Sequence, residues 1–215
     1  MTLTQLQAYL ARELGLTALA DDPVFQAWSL NAFNEVQLDV ATRLQIPRAI
    51  ITQPSVSGPF PVPAGMQSWG LLSARDTTND NPLAIVGVAR RQALTRSTPP
   101  GIPAFLEYDP ALATLTPYPT PAAPVNIELY FAIVPTQLAA PGDQPFNGLF
   151  QEWHHVVALG AAQRITEADW GDENQVRWLI RRYEDELVKF ANRVRHGKDV
   201  KPRSEVEIHD APRTS

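Results

Sequence analysis

Apolar residues recur at helical spacing in two stretches near the start of the chain. The first follows Thr4 and ends at Gly15, a residue type that commonly terminates a helix. The second follows Asp22-Pro23, where an acidic N-cap precedes proline at the first helical position, and it ends before Pro47. The pattern predicts two helices between residues 2 and 46. The second helix is apolar on two flanks, which predicts burial against more than one neighbour. Its apolar residues are Trp28, Leu30, Ala32, Phe33, Val36, Val40, Ala41 and Leu44.

A second pair of helices is predicted after Asn147. The first helix of this pair has one apolar face, formed by Phe150, Trp153, Val157, Ala161 and Ile165. The next helix is longer, and Gly197 ends it. Its apolar residues are separated by alternating steps of three and four, as in a coiled-coil seam: Val176, Ile180, Tyr183, Leu187, Phe190 and Val194.

The middle of the chain, from Arg48 to Val134, lacks helical periodicity. The chain has 20 prolines, most of them between Pro47 and Pro145, and they exclude a long helix there. Apolar and polar residues alternate from Val125 to Ile133, which predicts a strand with one solvated face. Shorter strands are predicted at 104–108 and 112–116, on either side of the turn Asp109-Pro110, and weaker ones at 50–56 and 83–94. The region therefore predicts a small antiparallel sheet or sandwich.

These elements predict an α+β fold. Its body is a helical bundle made from the N- and C-terminal helix pairs, with a proline-rich antiparallel β insertion and an extended C-terminal tail. The predicted divisions are residues 1–47 and 147–197 for the two helix pairs, 48–146 for the insertion and 198–215 for the tail.

Composition narrows the class of protein. Among 215 residues, 44% are apolar and 19% are charged, which is typical of a globular chain. The absence of cysteine excludes disulfides, thiolate zinc sites and cysteine nucleophiles, and it fits a reducing cytoplasm. The beginning of the sequence has no signal-peptide pattern, and no apolar stretch is long enough to cross a bilayer. A formal net charge of −5 argues against binding nucleic acid through a basic surface.

Charge is distributed unevenly near the C-terminus. Between Lys189 and Arg203 the chain is strongly basic, with Asp199 as the single acid, and after Arg203 it becomes acidic. The residues after Gly197 have no periodicity, and two prolines exclude a helix through them. Two interpretations remain open for this basic end. It is either a solvated helix terminus, where cations suit the helix dipole, or a segment that becomes ordered on a partner.

Catalytic chemistry has one candidate cluster, Glu152-Trp153-His154-His155. Adjacent histidines on a helix point about 100° apart, so they lack the same-face spacing of a metal site. A helix start with Trp153 in the core and the two histidines at a surface or subunit contact is the simpler interpretation. The acids at Asp169 to Glu173 lack the ligand pattern and central glycine of a calcium-binding loop, and helix capping explains them better.

The sequence contains no motif that points clearly to a ligand-binding site. Gly58 to Pro63 is either a polyproline-type ligand or, more simply, a rigid loop entering the sheet. Neither a phosphate-binding glycine loop nor a nucleophile elbow is present in the sequence. The residues therefore predict no catalytic site and no cofactor.

The order of features resembles that of phage head-to-tail adaptor proteins, also called connector or head completion proteins. The resemblance is carried by four stretches in sequence. They are the helix around Phe25 to Val36, the proline-punctuated Phe60-Pro-Val-Pro-Ala-Gly, the Pro-Tyr-Pro-x-Pro at 117–121 followed by the alternating strand at 125–130, and the helix at 150–162 that precedes a long charged helix.

The resemblance implies a structural, non-catalytic protein of the virion neck, made in the cytoplasm of the bacterial host. It implies a ring, usually dodecameric, that joins the portal protein to a tail or stopper protein and lets DNA pass without sequence-specific contacts. The C-terminal segment of such adaptors inserts into or along the portal, so the expected portal-binding residues are Arg193, Arg195, Lys198, Lys201, Arg203, Val206 and Ile208. The expected subunit contacts are Trp28, Phe33, Trp178 and Tyr183.

Two alternatives remain, one of the same structural class and one from a different class. The same composition suits another virion structural protein, such as a stopper, a tail-completion protein or a capsid-associated protein. A metal-dependent enzyme would use Glu152, His154 and His155 as ligands or acid–base groups.

Overall fold

Capping side chains determine where the first two helices begin. Thr2 and Gln5 form a capping box, in which each side chain accepts a hydrogen bond from the backbone N–H of the other. The Asp22 carboxylate accepts hydrogen bonds from the backbone N–H groups of Val24 and Phe25, at 2.8 and 3.1 Å. Both helices therefore start where local sequence favours them.

The computed structural model describes residues 1–87, 99–169 and 173–196. Those residues form four α-helices: α1 (Leu3–Glu13), α2 (Pro23–Leu44), α3 (His154–Asp169) and α4 (Glu173–His196). Short 3₁₀ turns occur at Thr17–Leu19, Pro145–Gly148 and Gln151–Trp153. α3 packs against α1, α2 and α4, so it is the central helix of this part of the molecule.

Among the described residues, seven strands form one sheet, and in the sequence they lie after α2 and before α3. They are β1 (Arg48–Val56), β2 (Phe60–Pro61), β3 (Met66–Asp76), β4 (Asn81–Gly87), β5 (Phe105–Asp109), β6 (Thr114–Tyr118) and β7 (Val125–Ile133). Their order across the sheet is β1-β7-β3-β4-β5-β6-β2. β4 and β5 pair in parallel, and the other neighbours are antiparallel.

The predicted fold class, a helical bundle with a small β insertion, is wrong. The sheet is large and has a hydrophobic core of its own, which includes Leu106, Leu115, Ile127 and Leu129. The helices enclose a second, separate cluster of buried side chains. The fold is therefore α+β with two cores, and the sheet is a principal part of it.

β3 is the largest element that the sequence pattern failed to predict. Its pairing with β7 shifts register twice, between Met66 and Leu71 and between Leu71 and Ser73. Such irregularities interrupt the two-residue period on which strand prediction depends. Gly70 interrupts the pattern further, since glycine has no side chain to mark either face of the strand. A Cβ at this position would lie 2.8 Å from the carbonyl oxygen of Ala132 on β7. The close approach of two backbones accounts for glycine at this position.

A buried glutamine joins the sheet to the helices. The Nε2 group of Gln67, at the start of β3, donates to the carbonyl oxygens of Ile133 and Ile46 at 2.8 and 3.0 Å. A longer contact of 3.4 Å reaches the carbonyl of Ala41 in α2. Gln67 therefore ties the end of α2 and the turn after it to the central strands.

Replacing Gln67 with leucine is expected to destabilise the protein by about 2–3 kcal/mol, because buried carbonyls lose their donor while the volume is roughly kept. Urea denaturation followed by circular dichroism measures this free energy of unfolding. The matched control is Gln175→Leu on the exposed first turn of α4, with an expected change within about 0.5 kcal/mol. Equal effects of the two substitutions would show that Gln67 does not join the two parts.

Candidate interaction surfaces

The outer face of α4 carries two apolar side chains among charged ones. Trp178 is 51% exposed and Val188 is 57% exposed. The opposite face of α4 is buried and consists of Leu179, Tyr183, Leu187, Phe190 and Val194. Large apolar side chains on an otherwise charged helix surface are suited to a protein–protein contact.

Trp178 is held on the side of α4 that faces α1. The guanidinium of Arg182, one turn later, stacks over the indole ring at 5.0 Å from its centroid. The same guanidinium binds the Glu13 carboxylate at 2.6 Å and the Tyr9 hydroxyl at 3.1 Å, both on α1. Contacts on both sides of Arg182 therefore restrain the position of the exposed indole.

A groove of ≈ 180 Å³ opens beside Trp28, between α2 and α3. Trp28 is half-buried and packs edge-on against Phe25, with ring centroids 6.3 Å apart. Arg164 of α3 spans the groove to Glu35 of α2, at 2.9 Å. The lining residues are Trp28, Asn31, Ala32, Glu35, Arg164 and Ile165. Sequence analysis identified Trp28, Ala32 and Ile165 as apolar helix positions and did not single out the three polar ones.

The other two predicted subunit-contact residues lie in the core of the subunit itself. Phe33 is fully buried, and Tyr183 is buried against Gly160 of α3, whose close packing with Val36 leaves no room for a side chain. Burial raises the pKa of Tyr183 to about 12, and the Asp39 carboxylate contributes to the same direction. A contact role stays a prediction for all four residues, but Trp28 and Trp178 are the two with accessible surface.

Two of the predicted portal-binding residues are described. Arg193 and Arg195 are exposed in the last turn of α4, where cations suit the negative end of the helix dipole. The remaining five, together with the predicted tail, lie outside the described residues: Lys198, Lys201, Arg203, Val206 and Ile208. The end of α4 is therefore basic where the tail begins.

His154 and His155 do not form a joint site. The Nε2–H of His154 donates to the carbonyl oxygen of Leu149 at 2.7 Å, and its Nδ1 accepts from the Met1 amino group at 2.8 Å. The Nε2 of His155 instead contacts the Glu186 carboxylate of α4 at 3.2 Å. Within residues 1–87, 99–169 and 173–196, no group of three His, Asp or Glu side chains is arranged to hold a metal ion.

Acid is expected to destabilise the fold through His154. Burial lowers the pKa of His154 below its ordinary value of 6.5, since the charged ring is disfavoured in the core. The carbonyl oxygens of Leu149 and Met1, which can accept hydrogen bonds from the protonated ring, oppose this shift without cancelling it. The unfolded chain therefore binds the proton more readily. Stability from the neutral ring is complete above pH 6.5 and is lost as the pH falls towards the lower folded pKa.

Melting temperatures of the wild type and of His154→Gln between pH 8 and pH 5 test this linkage. The variant is expected to melt earlier at pH 8 and to lose less stability on acidification. His155→Gln is the control, because that ring lies nearer the surface. Identical slopes for the wild type and His154→Gln would contradict the assignment.

A second surface cavity, of ≈ 440 Å³, lies where the chain returns from the sheet to the helices. Asp143 is its acidic residue, and the backbone N–H groups of Ala139 and Ala140 donate to the carboxylate and lower its pKa. Gln37 of α2 closes the inner side of this connection by binding Thr136 and Phe146. These contacts stabilise the turn, and they bring no nucleophile or acid–base pair together.

None of the described helices is both long enough and apolar enough to span a membrane. The surfaces available on the described residues are thus an exposed tryptophan among arginines, a groove beside another tryptophan, and a basic helix end.

One family model, described as SU10 adaptor protein, matches residues 1–203. The match covers all four helices, all seven strands and the start of the tail. No curated protein matches the chain.

Proposed function

The chain belongs to the SU10 adaptor protein family, and from this premise we propose that it forms a ring in the neck of a tailed phage. The resemblance to head-to-tail adaptors is thereby confirmed, and the chain is a phage structural adaptor. The ring would join the portal to the next tail or stopper protein and surround the DNA channel. The observation that carries this proposal is the family match over nearly the whole chain.

Ring assembly is supported by the placement of Trp28 and Trp178. A closed ring of identical subunits needs two different patches on each subunit, because every contact joins one face to the other. Trp178 lies on the α1 side of α4, whereas Trp28 lines the groove between α2 and α3. The subunit therefore has two distinct candidate patches.

Attachment to the portal is supported by the basic end of α4. Arg193 and Arg195 are exposed there, and the sequence continues with Lys198, Lys201 and Arg203. Cations on a segment with few apolar residues favour binding to an acidic or polar partner surface over packing into a core. A portal with such a surface would bind this segment.

Passage of DNA is supported by the sign of the protein's charge. A net charge of −5 repels phosphate groups at a distance, so a channel lined by such subunits would not retain DNA. The proposed role in the channel is therefore passive, without base recognition.

Electron microscopy of the intact particle, with the protein labelled, tests this role. The expected position is a ring directly below the portal and in contact with it. A position elsewhere would contradict the proposal: a stopper lies one layer further from the portal, and a capsid-associated protein lies on the shell.

A further inference from the structure

Trp178 and Trp28 differ in how far they are exposed and in the surface that surrounds them. Trp178 projects from the convex surface of α4 and is 51% exposed, whereas Trp28 forms one wall of a concave groove. Arg182 binds Glu13 and so connects the Trp178 side of α4 to α1. Arg164 of α3 binds Glu35 of α2 across the groove. A projection and a recess on different faces of one chain can meet only between separate copies.

The size of the groove favours a single side chain as its occupant. Pockets that hold drug-sized ligands have volumes of about 300–1,000 Å³. The groove has ≈ 180 Å³, and Trp28, Ala32 and Ile165 supply its apolar lining. A flat aromatic ring that enters such a recess gains stacking and burial without displacing the helices.

Charge complementarity points to a second copy of this chain. Residues 177–182 around Trp178 contain three arginines, of which Arg177 pairs with Glu173 and Arg182 pairs with Glu13. Between Arg12 and Arg43, by contrast, the chain has no lysine or arginine, and Asp21, Asp22 and Glu35 are exposed there. The remaining arginine beside the projection, Arg181, therefore has its complement in the acidic helix that forms one side of the groove.

Glu35 is placed to bind a cation from the neighbouring copy. Its Oε2 pairs with Arg164, yet the side chain is still 66% exposed, which leaves the second oxygen accessible. Arg181, next to Trp178 on the outer surface of α4, is exposed and forms no ion pair with another described residue. A charge-assisted contact between them would fix the orientation of the indole.

We propose that Trp178 of one subunit inserts into the Trp28 groove of the next, with Arg181 beside Glu35. This head-to-tail contact rests on the proposed ring and specifies which surfaces build it. Trp178 is its central anchor, since buried tryptophans dominate interface energies and a surrounding polar rim excludes water.

The test uses the full-length chain and two variants that each disable one side of the contact. Trp178→Ala removes the projection and keeps the groove. Asn31→Arg places a cation on the exposed rim of the groove and keeps the projection. Val188→Ala is the matched control, an equally exposed apolar side chain on the same helix. Unchanged melting curves check that each variant is folded.

Sedimentation velocity over a concentration series gives the assembly state. Trp178→Ala is expected to raise the concentration for half-assembly by about thirtyfold or more, as for loss of a central interface tryptophan. Asn31→Arg should have a similar effect, and Val188→Ala should assemble like the wild type. An equimolar mixture of the first two variants should form a one-to-one dimer, because one intact projection and one intact groove remain.

The outcomes separate this contact from the ring itself. If the wild type forms rings and Trp178→Ala does so equally well, the contact is wrong and the ring stands. A mixture that stays monomeric where the wild type assembles also overturns the head-to-tail pairing, as does an equal loss from Val188→Ala. A wild type that remains monomeric both alone and with portal protein refutes the ring, and the contact with it.

Discussion

Replacing Phe190 with alanine is expected to lower the free energy of unfolding by about 3–5 kcal/mol. Phe190 is fully buried on α4, where its ring stacks on Trp153 with centroids 5.3 Å apart and planes within 5°. Phe146 and Phe150 contact it at 5.8 and 5.4 Å. These partners come from the turns before α3. The substitution would therefore leave a cavity at the place where α4 packs against the rest of the helical core.

A loss of this size is comparable with the whole stability of many domains, which is about 5–15 kcal/mol. Urea denaturation, followed by circular dichroism and tryptophan fluorescence, measures it. Val188→Ala on the same helix is the control, and because Val188 is 57% exposed the expected change is within about 0.5 kcal/mol. A loss below about 1 kcal/mol for Phe190→Ala would contradict the view that this aromatic cluster holds α4 in place.

Deleting residues 198–215 is expected to abolish stable attachment to the portal without unfolding the protein. The deletion removes Lys198, Lys201 and Arg203, which continue the basic end of α4, and it leaves every described helix and strand intact. Cosedimentation with portal rings measures attachment, and circular dichroism checks the fold. Attachment of the wild type should also weaken with added salt, because screening reduces contacts made by exposed cations.

A variant with the full tail separates the role of charge from that of length. Glutamine at positions 198, 201 and 203 keeps the chain length and removes three cations. We expect this variant to bind the portal more weakly than the wild type and with less dependence on salt. If the truncated chain sedimented with portal as well as the full chain, the assignment of the tail as the portal-binding segment would be wrong.

The helices were predictable because their signals are local. Asp22 and Pro23 start α2 as expected, and the apolar steps from Tyr183 to Val194 match the buried face of α4. Nearer the start of α4, Leu179 is buried in place of the predicted Ile180. β7 coincides with the alternating stretch from Val125 to Ile133. In each case neighbouring residues carry the whole pattern, so no knowledge of distant contacts was needed.

The size of the sheet was not predictable from the same patterns. β3 contains the buried Gln67 and the tightly packed Gly70, and its register shifts twice against β7. Each feature is favourable only because of a partner elsewhere in the chain: three carbonyls for Gln67 and the β7 backbone for Gly70. Tertiary context therefore overrode local pattern, and the predicted bundle with a small insertion was wrong as a result.

The candidate surfaces were predictable only in part. An apolar stripe on two flanks of α2 does not distinguish Phe33, which enters the core, from Trp28, which borders a groove. The groove itself depends on the approach of Arg164 to Glu35 across 129 positions of sequence. Spacing along a helix identifies a face as apolar, and only packing decides whether that face meets its own chain or another.

The central claim is that this chain assembles into a ring on the portal, and light scattering with and without portal protein tests it most directly. One chain has a mass of 23.8 kDa. The account predicts that the mixture elutes as a particle heavier than the portal alone by an integral number of chains, matching the symmetry of a closed ring. A mixture in which the portal keeps its own mass and this chain elutes separately as a monomer would contradict the account.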